Sequence, residues 1–91
     1  MLHIAVCDPN AGHRAALCDA LSKLLFDSGD YRFACFPSGE ALLEQQGREN
    51  VFQLVFLEIR LAGSLNGLET AGQLRYRAPN TDIIFLTGAA E

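Results

Sequence analysis

The sequence predicts an α/β protein with a doubly wound parallel sheet of four strands and three helices. Four short apolar segments alternate with three segments whose apolar residues recur at helical spacing. Because each intervening segment is long enough for a crossover helix, the chain returns to the same end of the sheet and the strands run parallel. Strands that are apolar throughout also fit a sheet that helices cover on both faces.

The first strand and first helix come from the amino-terminal third of the chain. Residues 1–8, MLHIAVCD, form an apolar run that ends at Asp8. Asn10 suits the N-cap of the following helix, which is expected to stop near Gly29. The apolar stripe of this helix consists of Leu17, Leu21, Leu24 and Leu25.

The next two elements are shorter. Residues 31–36, YRFACF, predict a second strand that the breaker sequence Pro-Ser-Gly closes. Residues 40–46, EALLEQQ, predict a short helix with Leu42 and Leu43 facing inward and its end at Gly47.

The last three elements include the most apolar segment of the chain. Residues 51–59, VFQLVFLEI, predict the third strand, and a loop with two glycines, RLAGSLNG, leads into a third helix. Pro79 ends the connection after that helix, and residues 81–87, TDIIFLT, predict the fourth strand. The apolar residues that we assign to the third helix are Leu68, Ala71 and Leu74.

Composition limits the classes of function. With 91 residues, of which 49% are hydrophobic, the chain is expected to form one domain over 1–91. A net charge of −4 with scattered basic residues argues against direct nucleic-acid or membrane binding. The three cysteines (Cys7, Cys18 and Cys35) lack metal-type spacing, which predicts reduced core residues in a cytoplasmic protein. His3 and His13 have no partners at ligand spacing and are expected to be surface or strand-end residues.

Three polar side chains close strands of the predicted sheet. Asp8 ends the first strand, Glu58 the third and Thr87 the fourth. In open parallel sheets, binding and catalytic groups gather beyond the carboxyl ends of the strands. We therefore expect these three side chains to converge on one edge, with Glu58 reaching into a shared cleft.

The same segments resemble the receiver domain of two-component response regulators, particularly those that precede LytTR-type DNA-binding domains. LHIAVCDPN is similar to the family's first strand, LVFLEIRLAG with NGLE to its phosphoacceptor strand and loop, and IIFLTG to its fourth strand. The resemblance implies a flavodoxin-like receiver fold with strand order 2-1-3-4. It also implies a role in phosphorelay signal transduction that regulates an output such as transcription, with a histidine kinase as a partner and no enzymatic activity.

The sequence departs from the family pattern at the site that the resemblance implies. Asp8 matches one acid of the metal-binding pair, but its neighbour is Pro9 rather than a second acid. Glu58 stands at the phosphoacceptor position, where the family has aspartate, and Thr87 matches the switch residue. Only Asp8 and the backbone carbonyl of Arg60 then remain as Mg²⁺ ligands, so we expect metal binding to be weak or absent.

We interpret the chain as a degenerate or phosphomimetic receiver. The Glu58 carboxylate lies one methylene farther from the backbone than an aspartate would, and a displacement near 1 Å costs on the order of 10²-fold in a step that needs in-line geometry. Phosphoryl transfer to Glu58 is therefore expected to be absent or very weak. The permanent charge of Glu58 would imitate the activated state, with Thr87 turned inward to hydrogen-bond it.

The family also implies a fifth strand and helix, before which this chain stops. Their absence would leave the fourth strand as an apolar edge and one sheet face covered by the first helix alone. Exposed apolar edges pair with other chains. We expect self-association as a dimer or a swapped oligomer.

Two other functions stay open from the sequence. The chain could be a working phosphoacceptor receiver, or an unrelated small domain that binds a nucleotide or flavin at the strand ends. The site residues also have simpler interpretations. Asp8 could serve only as a turn residue, Glu58 could reach water, and Thr87 could reflect strand propensity.

Overall fold

The computed structural model describes residues 2–25, 29–48, 52–61 and 65–86. Over these ranges four parallel strands form one sheet in the order β2-β1-β3-β4, which confirms the predicted fold class and strand order. The elements in chain order are β1 (Leu2–Cys7), α1 (Ala11–Leu24), β2 (Tyr31–Phe36), α2 (Gly39–Arg48), β3 (Leu54–Glu58), α3 (Gly67–Arg77) and β4 (Asp82–Leu86).

Helices cover both faces of the sheet, as apolar strands require. Alternate side chains of β1 and β3 point to opposite faces, so each strand contributes to two hydrophobic clusters. The larger cluster joins the sheet to α2 and α3 and includes Ala5, Cys7, Leu42, Val55, Leu57 and Leu74. The smaller cluster lies under α1 and is built on Ile4, Val6 and Phe56.

Polar caps fix where α1 and α3 begin. The side chain of Asn10 accepts a hydrogen bond from the backbone N–H of His13 at 2.9 Å, which confirms Asn10 as the predicted N-cap. At the start of α3, Asn66 and Glu69 form a reciprocal capping box. Both helices therefore start at positions that local sequence specifies.

The expected apolar stripe of α1 is wrong at one position. Leu24 is 78% exposed, whereas Leu17, Cys18, Leu21 and Leu25 pack against the smaller cluster. The face of α1 that packs on the sheet therefore includes Cys18, and Leu24 lies outside it. Similarly, Leu68 in the first turn of α3 is exposed, and Thr70 takes the buried position next to Ala71 and Leu74.

Several element boundaries differ from the sequence expectations. Helix α2 runs from Gly39 through Gly47 to Arg48, one residue more at the start and two beyond 46. Strand β3 starts at Leu54 instead of position 51, although the main chain of Gln53 already bonds to His3 and Asp82. Position 87, expected in the fourth strand, lies outside the described residues.

Strand β4 lies at an edge of the sheet as described. Two of its apolar side chains are partly open to solvent, Ile84 at 45% and Phe85 at 40%. Within the described ranges, the face that carries Ile84 packs against α1 alone, as the sequence predicted. Within the same ranges, no helix has the length and apolar character needed to cross a membrane.

Candidate functional site at the carboxyl edge of the sheet

The structure brings Asp8 and Glu58 to the ends of neighbouring strands. Cys7 of β1 pairs with Leu57 of β3, and Asp8 and Glu58 are the next residues along these strands. Parallel neighbours lie about 4.8 Å apart, so the two carboxylates start from adjacent points on the same sheet edge. Both residues are buried, each with 5% of its surface exposed.

Thr87, the third expected site residue, lies outside the described residues. Its predecessor, Leu86, is paired with Glu58 across the β3–β4 ladder. The role of Thr87 stays a prediction.

Asp8 is held by contacts to the loop and to the first turn of α1. Its Oδ1 accepts a hydrogen bond from the backbone N–H of Asn10 at 2.9 Å, the arrangement of an Asx turn. Its other carboxylate oxygen, Oδ2, lies 3.7 Å from Nδ1 of His13. The Asp8 backbone carbonyl accepts a hydrogen bond from the Arg14 guanidinium at 2.6 Å. Asp8 thus serves as a turn residue and also faces two basic side chains.

Glu58 bends towards the loop that follows its own strand. Its Oε2 accepts a hydrogen bond from the backbone N–H of Arg60 at 3.1 Å. The next main-chain N–H, that of Ile59, donates to the carbonyl of Leu86 at 3.2 Å and continues the strand pairing past Glu58. Because Glu58 is buried, the simpler interpretation of a carboxylate that reaches water does not describe it.

Gly67 lets the start of α3 approach the end of β3. Its backbone N–H donates to the carbonyl of Ile59 at 2.8 Å. A Cβ atom at position 67 would overlap the main-chain oxygen of Glu58 and the Cα of Ile59. Glycine is therefore required here by a close approach, which fixes the loop between Glu58 and α3 at its far end.

A protonated thiol, that of Cys7, precedes Asp8 at the end of β1. Burial, and next the negative charge of Asp8, raise the pKa of the Cys7 thiol to about 12, although Arg14 acts in the opposite direction. The Cys7 Sγ donates to the carbonyl of Ser38 at 3.3 Å. Cys7 therefore contributes a neutral group to the site at physiological pH.

The donor atoms of this edge fit a divalent cation poorly. Mg²⁺ requires several oxygen ligands in octahedral geometry. Across the described part of the chain, no three His, Cys, Asp or Glu side chains come together in a group that could hold a metal ion. The Asp8 carboxylate is engaged by Asn10 and faces His13, and Pro9 adds no side-chain oxygen.

Sequence reasoning missed the contacts of two basic residues. His13 is on the surface as expected, with 62% of its side chain exposed, but its ring nitrogen lies beside Asp8. Arg14 was not assigned to the site at all. The available signal was their position in the first turn of the helix after Asp8, where a capped helix brings side chains back over the strand end.

Comparison with known proteins agrees with the fold. Residues 6–91 match the family model of the response regulator receiver domain. No curated protein matches the sequence.

Solved structures share the fold. The N-terminal domain of a response regulator/sensory box/GGDEF 3-domain protein from Carboxydothermus hydrogenoformans has a TM-score of 0.84 and 20% identity over 98% of this chain and 66% of that chain. The signal receiver domain of a modulated diguanylate cyclase from Desulfovibrio desulfuricans G20 has a TM-score of 0.80 and 24% identity over 100% of this chain and 68% of that chain. A CheY-like receiver domain protein from Methanospirillum hungatei JF-1 has a TM-score of 0.75 and 22% identity over 100% of this chain and 67% of that chain. The chain thus spans about two thirds of each of these structures.

Proposed function

The chain belongs to the response regulator receiver domain family of two-component signalling, and we propose that it is a degenerate or phosphomimetic member that acts through protein contacts instead of phosphoryl transfer. The observation that carries this proposal is that the carboxylate of Asp8 is already engaged in contacts within the protein. Its carboxylate is tied to the turn through Asn10 and faces His13, while Arg14 bonds its carbonyl. These contacts thus engage the carboxylate that would otherwise bind a metal ion.

Metal binding is weak or absent in this proposal. The ligands that remain are the carboxylate of Asp8 and the backbone carbonyl of Arg60, too few for a tight Mg²⁺ site. Without a bound cation, little positive charge would stabilise a phosphoryl group during its transfer to a buried carboxylate.

Glu58 has the role of a permanent negative charge. Its side chain is longer than aspartate by one methylene, and its carboxylate is buried and hydrogen-bonded to the Arg60 N–H. A charge fixed in this position would act as the phosphorylated state does in a responsive receiver, with Thr87 as the hydroxyl that turns towards it.

The biological setting is also part of the proposal. We infer a non-enzymatic, cytoplasmic regulatory module that self-associates, with a histidine kinase as a possible upstream partner and a transcriptional output of the LytTR type. Its support is the motif likeness of the sequence, the three free thiols and the partly exposed apolar edge of β4.

The experiment uses acetyl phosphate with Mg²⁺, read by intact-protein and peptide mass spectrometry. We expect no phosphoryl group on the wild-type chain. A Pro9→Asp/Glu58→Asp double variant should gain one phosphoryl group at position 58, and Glu58→Asp alone should respond weakly or not at all because Pro9 still removes a metal ligand.

Three outcomes are informative. Modification of Glu58 or Asp8 in the wild-type chain would establish the alternative, a working phosphoacceptor receiver. An unresponsive wild type with a responsive double variant supports the degenerate site and assigns its cause. If neither chain responds, the inert state stands, but Pro9 and Glu58 are not its sole cause.

A further inference from the structure

Two cysteines from different elements touch each other outside the site. The Sγ atoms of Cys18 in α1 and Cys35 in β2 lie 3.7 Å apart, in hydrogen-bonding contact. Both are free thiols, but Cys35 is exposed and Cys18 only half-buried, so the prediction of core cysteines holds for Cys7 and is wrong for Cys35. The contact joins residues 17 positions apart in the sequence.

The fold itself brings these side chains together. Cys35 is paired with Val6 in the β1–β2 ladder, and Val6 belongs to the cluster beneath α1. Cys35 therefore points to the face that α1 covers. Cys18 lies on the side of α1 that packs against that same cluster. The pair is thus a consequence of packing between α1 and the sheet.

We propose that Cys18 and Cys35 form a redox modification site, which small oxidised thiols convert to an intramolecular disulfide. A disulfide bond is about 2.05 Å long, so the two sulfurs must approach by roughly 1.7 Å from their 3.7 Å separation. No residue of α1 (Ala11–Leu24, all of it described) is buried. A small shift of this helix and a rotation of the Cys18 side chain would therefore disturb only partly buried contacts.

The chemistry proceeds by thiol–disulfide exchange. The Cys35 thiol loses its proton and attacks one sulfur of a small disulfide such as oxidised glutathione, which forms a mixed disulfide and releases one glutathione thiol. The Cys18 thiol then loses its proton and attacks Sγ of Cys35, which releases the second glutathione thiol. The protein loses two protons and two electrons, equivalent to two hydrogen atoms, and one glutathione disulfide is reduced to two thiols.

The environments of the two thiols indicate that Cys35 reacts first and Cys18 second. The exposed Cys35 is accessible to a small oxidant. Burial, and next the hydrogen bond to Cys35, raise the pKa of the Cys18 thiol to about 11. Cys18 is therefore protonated at neutral pH and suits the second, intramolecular step, in which proximity to the mixed disulfide compensates for a low thiolate fraction.

A disulfide here would tie α1 to β2. The same helix carries His13 and Arg14 at its first turn, beside Asp8. Oxidation would thus fix the position of the helix that contacts the candidate site. The proposed modification itself does not depend on the function proposed above.

The test is incubation of the whole chain with oxidised glutathione, followed by mass spectrometry and thermal unfolding. We expect a loss of two hydrogens with no retained glutathione, one remaining free thiol at Cys7, and linked peptides that contain Cys18 and Cys35. Since the bond closes a loop of about 18 residues, the Tm should rise by about 10 °C and return on reduction.

Matched variants separate the alternatives. Cys18→Ser should retain one glutathione on Cys35 and show no rise in Tm, whereas Cys7→Ala should close the disulfide as the wild type does. A wild-type chain that keeps a stable glutathione adduct on Cys35, forms only intermolecular disulfides, or does not react would overturn the proposal. The three overturning results are measured on the wild-type chain and so do not depend on whether any variant folds.

Discussion

Cys7 shows how one buried residue makes stability depend on pH. Its pKa is raised from 9.0 to about 12 in the folded chain by burial and by the charge of Asp8. Between these values the unfolded chain has lost the thiol proton and the folded chain still holds it. Stability from this residue is therefore fully present below pH 9 and is lost as the pH rises towards 12.

We predict that the free energy of unfolding falls by about 1 kcal/mol more for the wild-type chain than for Cys7→Ala between pH 9 and pH 10. The measurement is urea-induced unfolding of both proteins at pH 8, 9 and 10. Cys18→Ala is a second comparison, because its pKa is also raised. Parallel stability curves for the wild type and Cys7→Ala would show that the buried thiol is not the cause.

The site could be predicted from sequence only where backbone rules apply. The placement of Asp8 and Glu58 at one edge follows from parallel strands that end at the same side of a sheet. The first-turn position of His13 and Arg14 was a local signal for their contacts with Asp8, but which atoms they contact depends on the angle at which α1 leaves that edge. The burial of Glu58 likewise depends on tertiary packing.

At the scale of elements, α3 depends on one glycine at its start. A Cβ on Gly67 would overlap the backbone of Glu58 and Ile59, whereas nothing lies within 4 Å of a Cβ on Gly72 in the same helix. The two glycines lie in the same helix but differ in the room available for a Cβ atom, which makes them a matched pair.

We predict that Gly67→Ala destabilises the chain by about 1–3 kcal/mol, since α3 must move away from β3. Gly72→Ala should instead stabilise it by about 0.5–1 kcal/mol, since alanine is the better helix former. Urea unfolding of both variants gives the comparison. Equal effects would mean that helix propensity dominates at both positions and that the contact with Glu58 is not restrictive.

Element types were more predictable than their packing. The alternation of apolar strands and helical stripes specified all seven elements, and Asn10 specified where α1 begins. The direction of the α1 stripe was wrong at Leu24, because the packed face includes Cys18, a small residue that the leucine pattern did not count. Tertiary contacts therefore decided the rotation of a helix with a weak apolar face.

At the scale of the whole molecule, the distribution of exposed apolar surface favours association. Strand β4 is at the sheet edge, and Ile84 and Phe85 expose 45% and 40% of their surface. Edge strands offer unpaired backbone groups, and apolar side chains beside them favour pairing with another chain. A lysine on such an edge opposes this pairing because its charge would be buried in the contact.

We predict that the wild-type chain sediments as a dimer or larger species at micromolar concentration and that Ile84→Lys shifts it to monomer. Ile84 is partly exposed, so this substitution should leave the fold intact by circular dichroism. Tyr76→Lys is the matched control: Tyr76 is 90% exposed on α3, which packs on the sheet face opposite to Ile84, and its replacement should leave the association unchanged. A well-folded wild-type monomer would refute self-association, and monomers from both variants would place the contact elsewhere than β4.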